Sequence, residues 1–267
     1  MSEPKRKTAL ITGASSDIGW ELAQIFAAEG YQLALTARRS ERLRELADQI
    51  AKQGGSVTTI AKDLTQPNAA QELYAELAQA RINVDVLVNN AGFGQYGRFH
   101  EADLTVQLEM IQVNVTALTH LTRLFLPDMI QRGGGGILNV ASVAGFLPGP
   151  MNSVYYATKA YVISLSEALA AELEGTGVAV SVLCPGLTKT EFHQRAGMSN
   201  TSVPDGLVMD ARTVAQIGYQ GLRKKRWVVV SGWKNKLMAF PFRLAPRKLA
   251  ARVFKKLQER RETKEVT

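Results

Sequence analysis

The fold is decided near the start of the chain by the stretch Thr8-Ala9-Leu10-Ile11-Thr12-Gly13-Ala14-Ser15-Ser16-Asp17-Ile18-Gly19. It opens with a short apolar run, continues into a glycine-rich turn and leads into a helical pattern. Glycine permits a tight turn and close backbone approach, and a helix start offers free N–H groups and partial positive charge to a pyrophosphate. The stretch therefore predicts a strand, a turn and a helix that bind a nucleotide, although an ordinary glycine-rich connection has the same pattern.

Outward from this stretch, short apolar runs alternate with helical patterns. The runs are continuous, which is typical of strands buried on both faces of a sheet: Thr8–Thr12, Gln32–Thr36, Ser56–Ala61, Asp85–Asn89, Gly136–Ala141, Val178–Cys184 and Trp227–Ser231. Apolar residues recur at helical spacing between them, in residues 18–29, 40–53, 67–81, 103–131, 154–175 and 211–223. This alternation predicts an α/β fold, a single doubly wound domain with a seven-stranded parallel sheet and helices on both faces.

The residues that follow the predicted strands suit a ligand site. Ligands of such sheets bind outside the carboxyl ends of the strands. Small, polar or charged residues stand at every one of these ends except the last: Thr12-Gly13, Arg38-Arg39, Asp63, Asn89-Asn90-Ala91-Gly92, Ser142 and Pro185-Gly186. Their convergence predicts one binding edge.

Arg38 and Arg39 follow the second predicted strand, where a site for NAD would place an acid beside the ribose 2′-hydroxyl. An arginine there suits a 2′-phosphate, so the pair favours NADP(H). The other interpretation is a basic flank to a surface helix. Asp63, after the third predicted strand, could accept from an adenine amino group or cap the following turn.

Ser142, Tyr155 and Lys159 form the candidate catalytic group. If residues 154–174 are helical, the tyrosine and the lysine are an i, i+4 pair on one face. A neighbouring ammonium favours the phenolate and lowers the phenol pKa, which makes the tyrosine an acid or base near neutral pH. A serine at a strand end could hold a carbonyl oxygen. Taken alone, the pair also fits a solvated helix face.

With these motifs in this order, the chain resembles the short-chain dehydrogenase/reductase family, in its common single-domain, Rossmann-like, NADPH-preferring form. The resemblance runs from Thr8 to Ser231. It implies that Tyr155 donates the proton in reduction and accepts it in oxidation, and that Lys159 lowers the phenol pKa and binds the nicotinamide ribose. It also implies that Ser142 orients the substrate carbonyl and that Asn114 holds a water linking Lys159 to solvent.

The resemblance further implies NADP(H) as cofactor and direct hydride transfer without a metal. We expect these residues to bind the cofactor: Gly13, Ser15, Ser16, Asp17, Ile18, Gly19, Arg38, Arg39, Asp63, Leu64, Asn90, Ala91, Gly92, Tyr155, Lys159, Pro185, Gly186, Thr188 and Thr190. Asp17 departs from the family pattern, which usually has glycine there. We interpret it as a helix cap that points away from the phosphates.

The candidate substrate pocket is mostly apolar, which suggests a hydrophobic ketone, aldehyde or secondary alcohol. Beside Ser142, its predicted residues are Phe93, Val143, Phe146, Met151, Leu187 and Phe192, with Tyr156 as a further candidate. Several of these could instead belong to the core. Residues 191–207 are polar and rich in Gly, Ser and Asn, a composition typical of a lid.

Composition sets the broad class of the protein. The chain has 267 residues, 46% of them hydrophobic, which is ample for one large α/β domain. Its one cysteine, Cys184, excludes an internal disulfide framework and suits a reducing compartment, so we expect a cytoplasmic protein. We interpret Cys184 as a buried strand-end residue. The three histidines make no metal-ligand spacing with it, and neither a secretory leader nor a membrane span is expected.

Positive charge is concentrated in the C-terminal segment. Residues 223–267 carry 15 Lys and Arg against 3 Asp and Glu, a net charge of +12, while the remainder has a net charge of −4. We divide the chain into a catalytic domain, residues 1–232, and a basic helical extension, residues 233–267. The extension's predicted helix carries an apolar stripe: Leu249, Val253, Phe254 and Leu257.

Several partners and functions stay open for this chain. The stripe could contact a membrane surface, or pack on its own domain or across an oligomer. No recognition motif supports nucleic-acid binding. The family resemblance implies a homodimer or homotetramer. The alternatives to a reductase are an NADP-binding regulatory or scaffold protein without turnover, which the intact catalytic set opposes, and a membrane-surface lipid-handling protein.

Overall fold

The computed structural model describes residues 6–191 and 208–237, together with residues 248, 251, 252 and 255. Within this part of the chain the strands are β1 (Thr8–Thr12), β2 (Gln32–Ala37), β3 (Val57–Ala61), β4 (Val86–Asn89), β5 (Gly135–Val140), β6 (Val178–Cys184), β7 (Thr188–Lys189), β8 (Met209–Asp210) and β9 (Val228–Val230). The helices are α1 (Asp17–Ala28), α2 (Ser40–Lys52), α3 (Ala69–Gln79), α4 (Leu104–Ile111), α5 (Leu118–Gln131), α6 (Ser153–Glu172) and α7 (Ala211–Arg223).

Seven of these strands form one parallel sheet in the order β3-β2-β1-β4-β5-β6-β9. The prediction of a doubly wound, seven-stranded parallel sheet is therefore confirmed. The strand order reverses direction between β1 and β4, and ligands of such sheets bind at this switch point. The sheet thus brings the turn after β1 and the loops after β4, β5 and β6 to one edge.

The sheet separates two apolar cores. Ala9 and Ile11 of β1 pack into the core that includes Phe26 of α1, while Leu10 packs into the opposite core with Phe125 of α5. Successive side chains of a strand point to opposite faces, so one continuous apolar run fills both layers. Burying a side chain as large as Phe26, which is 1% exposed, contributes about 2–3 kcal/mol.

The third strand departs from the expectation of burial on both faces. Thr58, Thr59 and Ala61 of β3 are exposed. The reason is position, because β3 stands at the edge of the sheet and, among the residues that the structure describes, only β2 pairs with it. An apolar run does not by itself say whether a strand is central or at an edge.

The long helix predicted for residues 103–131 contains a π-helical segment, Gln112–Ala117, between α4 and α5. The short parallel pair of β7 and β8 was not predicted. The apolar stripe of the C-terminal extension and most of the predicted lid lie outside the described residues. Among the residues that the structure describes, no helix is both long and apolar enough to cross a bilayer.

Candidate active site

Ser142 lies at the carboxyl end of β5, where the sequence predicted it. It is the N-cap of a short 3-10 turn, Val143–Phe146, and its Oγ accepts a 3.1 Å hydrogen bond from the Ala144 N–H. The same hydroxyl donates to the carbonyl of Pro185, at 3.5 Å, in the loop after β6. The serine is therefore fixed by backbone from two neighbouring strand ends.

Tyr155 and Lys159 lie one turn apart on α6 and face inward, at 9% and 5% exposure. The Lys159 Nζ is 5.7 Å from the centroid of the Tyr155 ring and donates a 2.9 Å hydrogen bond to the carbonyl of Val140. Ser142 forms a hydrogen bond with the phenol. The three predicted catalytic side chains thus meet at the ends of β5 and α6.

Burial controls the protonation of this group. It raises the pKa of the Tyr155 phenol well above its usual value, and the hydrogen bond with Ser142 opposes this only in part. Burial also lowers the pKa of Lys159 to about 8, against a smaller raising effect of Cys184. The net shift in the protein alone is therefore opposite to the lowering expected from Lys159, because desolvation is its largest cause. At neutral pH the tyrosine is a protonated donor.

Asn114 is 1% exposed and lies within the π-helical segment, a feature often found at functional sites. Its Nδ2 donates to the Phe93 carbonyl at 3.0 Å and to the Thr158 hydroxyl at 3.1 Å, and its Oδ1 accepts from the Phe93 N–H at 3.1 Å. The Thr158 hydroxyl donates to the Tyr155 carbonyl at 2.7 Å. Asn114 therefore ties the loop after β4 to α6, and Thr158, which the sequence did not suggest, completes the connection.

Gly92 packs closely against this group. A methyl group there would lie 2.9 Å from the Asn114 Oδ1 and 3.2 Å from the Lys159 Nζ. Its neighbour Asn90 contacts the glycine-rich turn, where its Nδ2 donates to the carbonyls of Thr12 at 3.0 Å and Gly13 at 3.2 Å. The motif after β4 thus supports both halves of the site.

The glycine-rich turn is closely packed. Gly13 has φ +65°, and a methyl group there would lie 2.9 Å from the Ala91 Cα. A methyl group on Gly19 would lie 2.3 Å from the Gly13 carbonyl oxygen. Ser16 is the N-cap of α1, and Ile18 packs on the core. The turn therefore leaves backbone open at a helix start, a cradle that fits the pyrophosphate of a dinucleotide.

Asp17 adopts φ +55°, a conformation that favours glycine, which explains why the family pattern usually has glycine there. The expectation that it caps α1 is wrong, because its Oδ1 accepts a 2.9 Å hydrogen bond from the Glu191 N–H instead. The side chain is thereby directed to the residues after β7. Glu191 itself was not predicted as part of the site.

Arg38 and Arg39 directly follow β2. Arg38 is exposed, and Arg39 donates from Nη2 to the Ser15 carbonyl at 3.0 Å and from Nε to the Ser15 Oγ at 3.3 Å. The Arg39 guanidinium lies beside the glycine-rich turn and, together with Arg38 next to it in the chain, has the donor chemistry that a 2′-phosphate requires. The residues present thus fit NADP(H).

The residues after the third strand have contacts within the protein itself. The Asp63 Oδ1 accepts a 3.0 Å hydrogen bond from the Thr65 N–H, so the side chain caps its own turn. Leu64 is 7% exposed and packs with Ala69 and Val113 in a small apolar cluster. Leu64 is therefore part of the hydrophobic core.

The loop after β6 is held from below by residues that the sequence did not suggest. The Gly186 N–H donates to the Ser231 Oγ at 3.3 Å, and a methyl group on Gly186 would lie 2.2 Å from the Asn235 Nδ2. Within the loop, the Thr188 hydroxyl donates to the Gly186 carbonyl at 3.0 Å, and the Thr190 hydroxyl donates to the Thr188 carbonyl at 3.2 Å. Ser231, after β9, and Asn235, at the start of the C-terminal extension, thus support this loop.

The predicted substrate residues lie in loops at the same edge of the sheet, except that Phe192 is outside the described residues. Phe93 packs against the cluster that contains Tyr155, and Val143 and Phe146 bound the turn that Ser142 caps. Met151 has φ +64°. Half-buried Leu187 lies in the loop after β6, and the Tyr156 ring covers Gly149. Cys184 is fully buried at the end of β6, as predicted.

Known proteins are similar to this chain in sequence and in architecture. A family model described as short chain dehydrogenase matches residues 7–200. A short chain dehydrogenase of Pseudocercospora fijiensis is 38% identical over 198 residues, which cover 73% of this chain and 64% of that protein, just under two thirds of its length.

Two solved structures resemble the whole arrangement. A short-chain dehydrogenase from Sphingobium yanoikuyae in complex with NADPH has a TM-score of 0.80 at 36% identity, covering 88% of this chain and 92% of that one. A bulky-bulky ketone specific alcohol dehydrogenase from Comamonas testosteroni has a TM-score of 0.77 at 31% identity, covering 90% and 93%.

Proposed function

The chain belongs to the short-chain dehydrogenase family of oxidoreductases, and from this premise we propose that it transfers a hydride between NADP(H) and an apolar ketone, aldehyde or secondary alcohol. The observation that carries the proposal is the meeting of Ser142, Tyr155 and Lys159 at the same edge of the sheet as the glycine-rich turn and Arg39. The Sphingobium yanoikuyae neighbour, which is in complex with NADPH, supports the cofactor. The Comamonas testosteroni neighbour, which is specific for bulky-bulky ketones, supports the substrate class.

Tyr155 is the proton donor in the proposed reduction. Its raised pKa keeps the phenol protonated at neutral pH. The Ser142 hydroxyl has one proton, and in the proposed reaction it turns from the Pro185 carbonyl to donate that proton to the substrate carbonyl oxygen beside the phenol. The bound nicotinamide would supply the hydride. As the proton leaves, negative charge develops on the phenol oxygen, and the Lys159 ammonium close to the ring stabilises it. In oxidation the same phenolate takes the proton back.

Asn114 and Thr158 position this group and do not touch the reacting atoms. They join the loop after β4 to the backbone of Tyr155, so the tyrosine is fixed relative to the cofactor edge. We assign the 2′-phosphate of NADP(H) to Arg38 and Arg39. The pyrophosphate is assigned to the turn from Gly13 to Gly19.

We further propose that copies of the chain associate through α4. Leu104 and Leu108 on one side of α4 are 66% and 56% exposed, and Ile111 is 40% exposed. Exposed apolar residues at helical spacing mark an interaction surface. The proposed assembly is a homodimer or homotetramer.

Residues 1–232 contain all the catalytic and cofactor residues proposed above, so we propose them as the catalytic domain, with residues 233–267 as an extension. The start of the extension packs on the domain, because Asn235 is 3% exposed and lies against Gly186. Buried Cys184, the single cysteine of the chain, fits a reducing compartment such as the cytoplasm.

The proposal is tested by turnover of NADPH and NADH with purified protein against a panel of carbonyl compounds. The panel runs from small aldehydes to long-chain keto-acyl and steroid-like ketones. Turnover with NADPH on the larger apolar members is expected, and Tyr155→Phe should remove it while Tyr74→Phe, outside the site, should not. Tight NADPH binding without turnover on any member would favour a regulatory NADP-binding protein instead.

A further inference from the structure

Arg39 is shared between the glycine-rich turn and an acidic side chain. Its Nη1 lies 3.2 Å from the Glu191 Oε2, while its Nη2 and Nε donate to Ser15 at 3.0 and 3.3 Å. The guanidinium proposed to bind the 2′-phosphate is therefore already paired with a carboxylate of the chain itself. We refer to this pair as the Arg39–Glu191 bridge.

The carboxylate is anchored at this place by its backbone. The Glu191 N–H donates a 2.9 Å hydrogen bond to the Asp17 Oδ1, which joins residues far apart in the chain. Asp17 holds φ +55°, so the fold maintains an uncommon backbone conformation at the residue that makes this contact. Glu191 is thus held at both its main chain and its side chain.

A carboxylate and a phosphate are recognised by the same chemistry. Both accept two parallel hydrogen bonds from a planar guanidinium, and the two anions repel each other when they share one arginine. Arg39 therefore cannot keep the Glu191 carboxylate and bind a 2′-phosphate with the same donors. A 2′-hydroxyl, as in NAD(H), is neutral, so it neither repels the Glu191 carboxylate nor competes with it as an anion for Arg39.

We propose that Glu191 is an internal competitor for the 2′-phosphate, which holds Arg39 in the free protein and is displaced from it when NADP(H) binds. The inference rests on the proposed function, because it requires a cofactor with a 2′-phosphate. The Glu191 carboxylate then reduces the difference in affinity between NADP(H) and NAD(H). Asp17 acts as a positioning residue that keeps the competitor in place.

The expected effect is modest, because the bridge is partly exposed. The side chains of Arg39 and Glu191 are 37% and 42% exposed, and ion pairs in such surroundings are screened by solvent. Removing the competitor should therefore tighten NADP⁺ binding by about two- to five-fold. NAD⁺ binding should change by less than the error of such a titration.

The experiment measures dissociation constants of NADP⁺ and NAD⁺ by fluorescence titration for wild type and Glu191→Gln. Glu45→Gln is the matched control, because it removes a carboxylate from the neighbouring ion pair with Arg42 without touching Arg39. The inference predicts tighter NADP⁺ binding in Glu191→Gln alone. Unchanged or weaker NADP⁺ binding in that variant would overturn it.

A double-mutant cycle tests the route of the effect. In an Arg39→Gln background, Glu191→Gln should no longer tighten NADP⁺ binding, because there is no guanidinium to compete for. A gain that persists there would overturn the competition. If the wild-type protein binds neither cofactor, the proposed function is refuted together with this inference. If the wild-type protein binds NADP⁺ and Glu191→Gln has no effect on that binding, this inference alone is refuted.

Discussion

The Nζ of Lys159 donates a 2.9 Å hydrogen bond to the backbone carbonyl of Val140, the last residue of β5. This bond joins α6 to the strand that ends just before Ser142. It holds a buried ammonium close to the Tyr155 ring at a cost in solvation, since burial lowers the pKa of Lys159 to about 8. The buried ammonium lowers the free energy of unfolding, and it lies where a phenolate forms in the proposed reaction.

The first prediction is that Lys159→Met stabilises the protein at pH 7. The folded pKa of about 8 lies below the ordinary lysine value of 10.5, so the unfolded chain holds more protons between these values and the stability of wild type rises with pH there. At pH 7 the buried charge costs up to roughly 3 kcal/mol, offset by about 1 kcal/mol for the lost hydrogen bond. Urea unfolding should therefore give the variant a higher free energy of unfolding than wild type at pH 7, and we call this difference its stability advantage.

That advantage should shrink by pH 9.5, where the folded lysine is neutral and its burial costs little. The control is Lys62→Met, because the hydrogen bonds that Lys62 donates to Glu76 and Glu72 raise the pKa of Lys62, and its removal should not stabilise the protein at pH 7. An advantage of Lys159→Met that is the same at both pH values would contradict the burial argument.

Gly19→Ala should damage both the fold and cofactor binding. Its methyl group would lie 2.3 Å from the Gly13 carbonyl oxygen and 2.4 Å from the Asn90 Nδ2, so the turn must shift. Overpacking of this kind costs about 1–3 kcal/mol. We expect a lower urea midpoint and about tenfold weaker NADP⁺ binding. Gly134→Ala is the control, since its methyl group would meet nothing within 4 Å; equal effects of the two variants would refute the packing argument.

Arg39→Gln should reduce the preference for NADP(H) over NAD(H). A charge-assisted hydrogen bond to a phosphate contributes about 1.5–3 kcal/mol, and release of the Glu191 bridge offsets part of this, so we expect about tenfold weaker NADP⁺ binding. NAD⁺ binding should be nearly unchanged. Arg42→Gln, which removes an arginine that lies over the Trp20 ring, is the control. Titration of both cofactors checks the result, and equal losses for the two would assign Arg39 a structural role.

Leu108→Glu should weaken association between copies of the chain. Leu108 is 56% exposed on α4, so a carboxylate there is tolerated by the monomer but would be buried without a partner in an interface. Light scattering coupled to size exclusion should give a smaller species than wild type at the same concentration. Trp233→Glu, at a residue 71% exposed elsewhere on the surface, is the control. An unchanged mass for Leu108→Glu would place the interface elsewhere.

Most of the fold could be predicted because its signals are local. The apolar runs and helical spacings place the sheet strands and helices within a few residues of their observed ends. The exposed face of β3 and the π-helical segment at Asn114 could not be predicted, because one depends on the place of a strand in the sheet and the other on contacts with Phe93 and Thr158.

Site residues whose chemistry follows from their residue type and motif could be predicted from the sequence. Site residues that act through contacts distant in the chain could not. The catalytic side chains, the glycine-rich turn and the arginines are recognisable in sequence. Glu191, Ser231 and Asn235 are not, because each acts through a partner remote in the chain. The direction of the Tyr155 pKa also depends on burial, which a motif does not report.

The central claim is that Tyr155 is the proton donor of an NADP(H)-dependent carbonyl reduction. Its most direct test is the rate of NADPH oxidation by Tyr155→Phe relative to wild type, on the ketone that the panel identifies, with the NADP⁺ dissociation constant measured in parallel. We predict a rate lower by about 10²–10⁴-fold with cofactor binding unchanged, because only the proton transfer is lost. A Tyr155→Phe protein that binds NADP⁺ and keeps the wild-type rate would contradict the account.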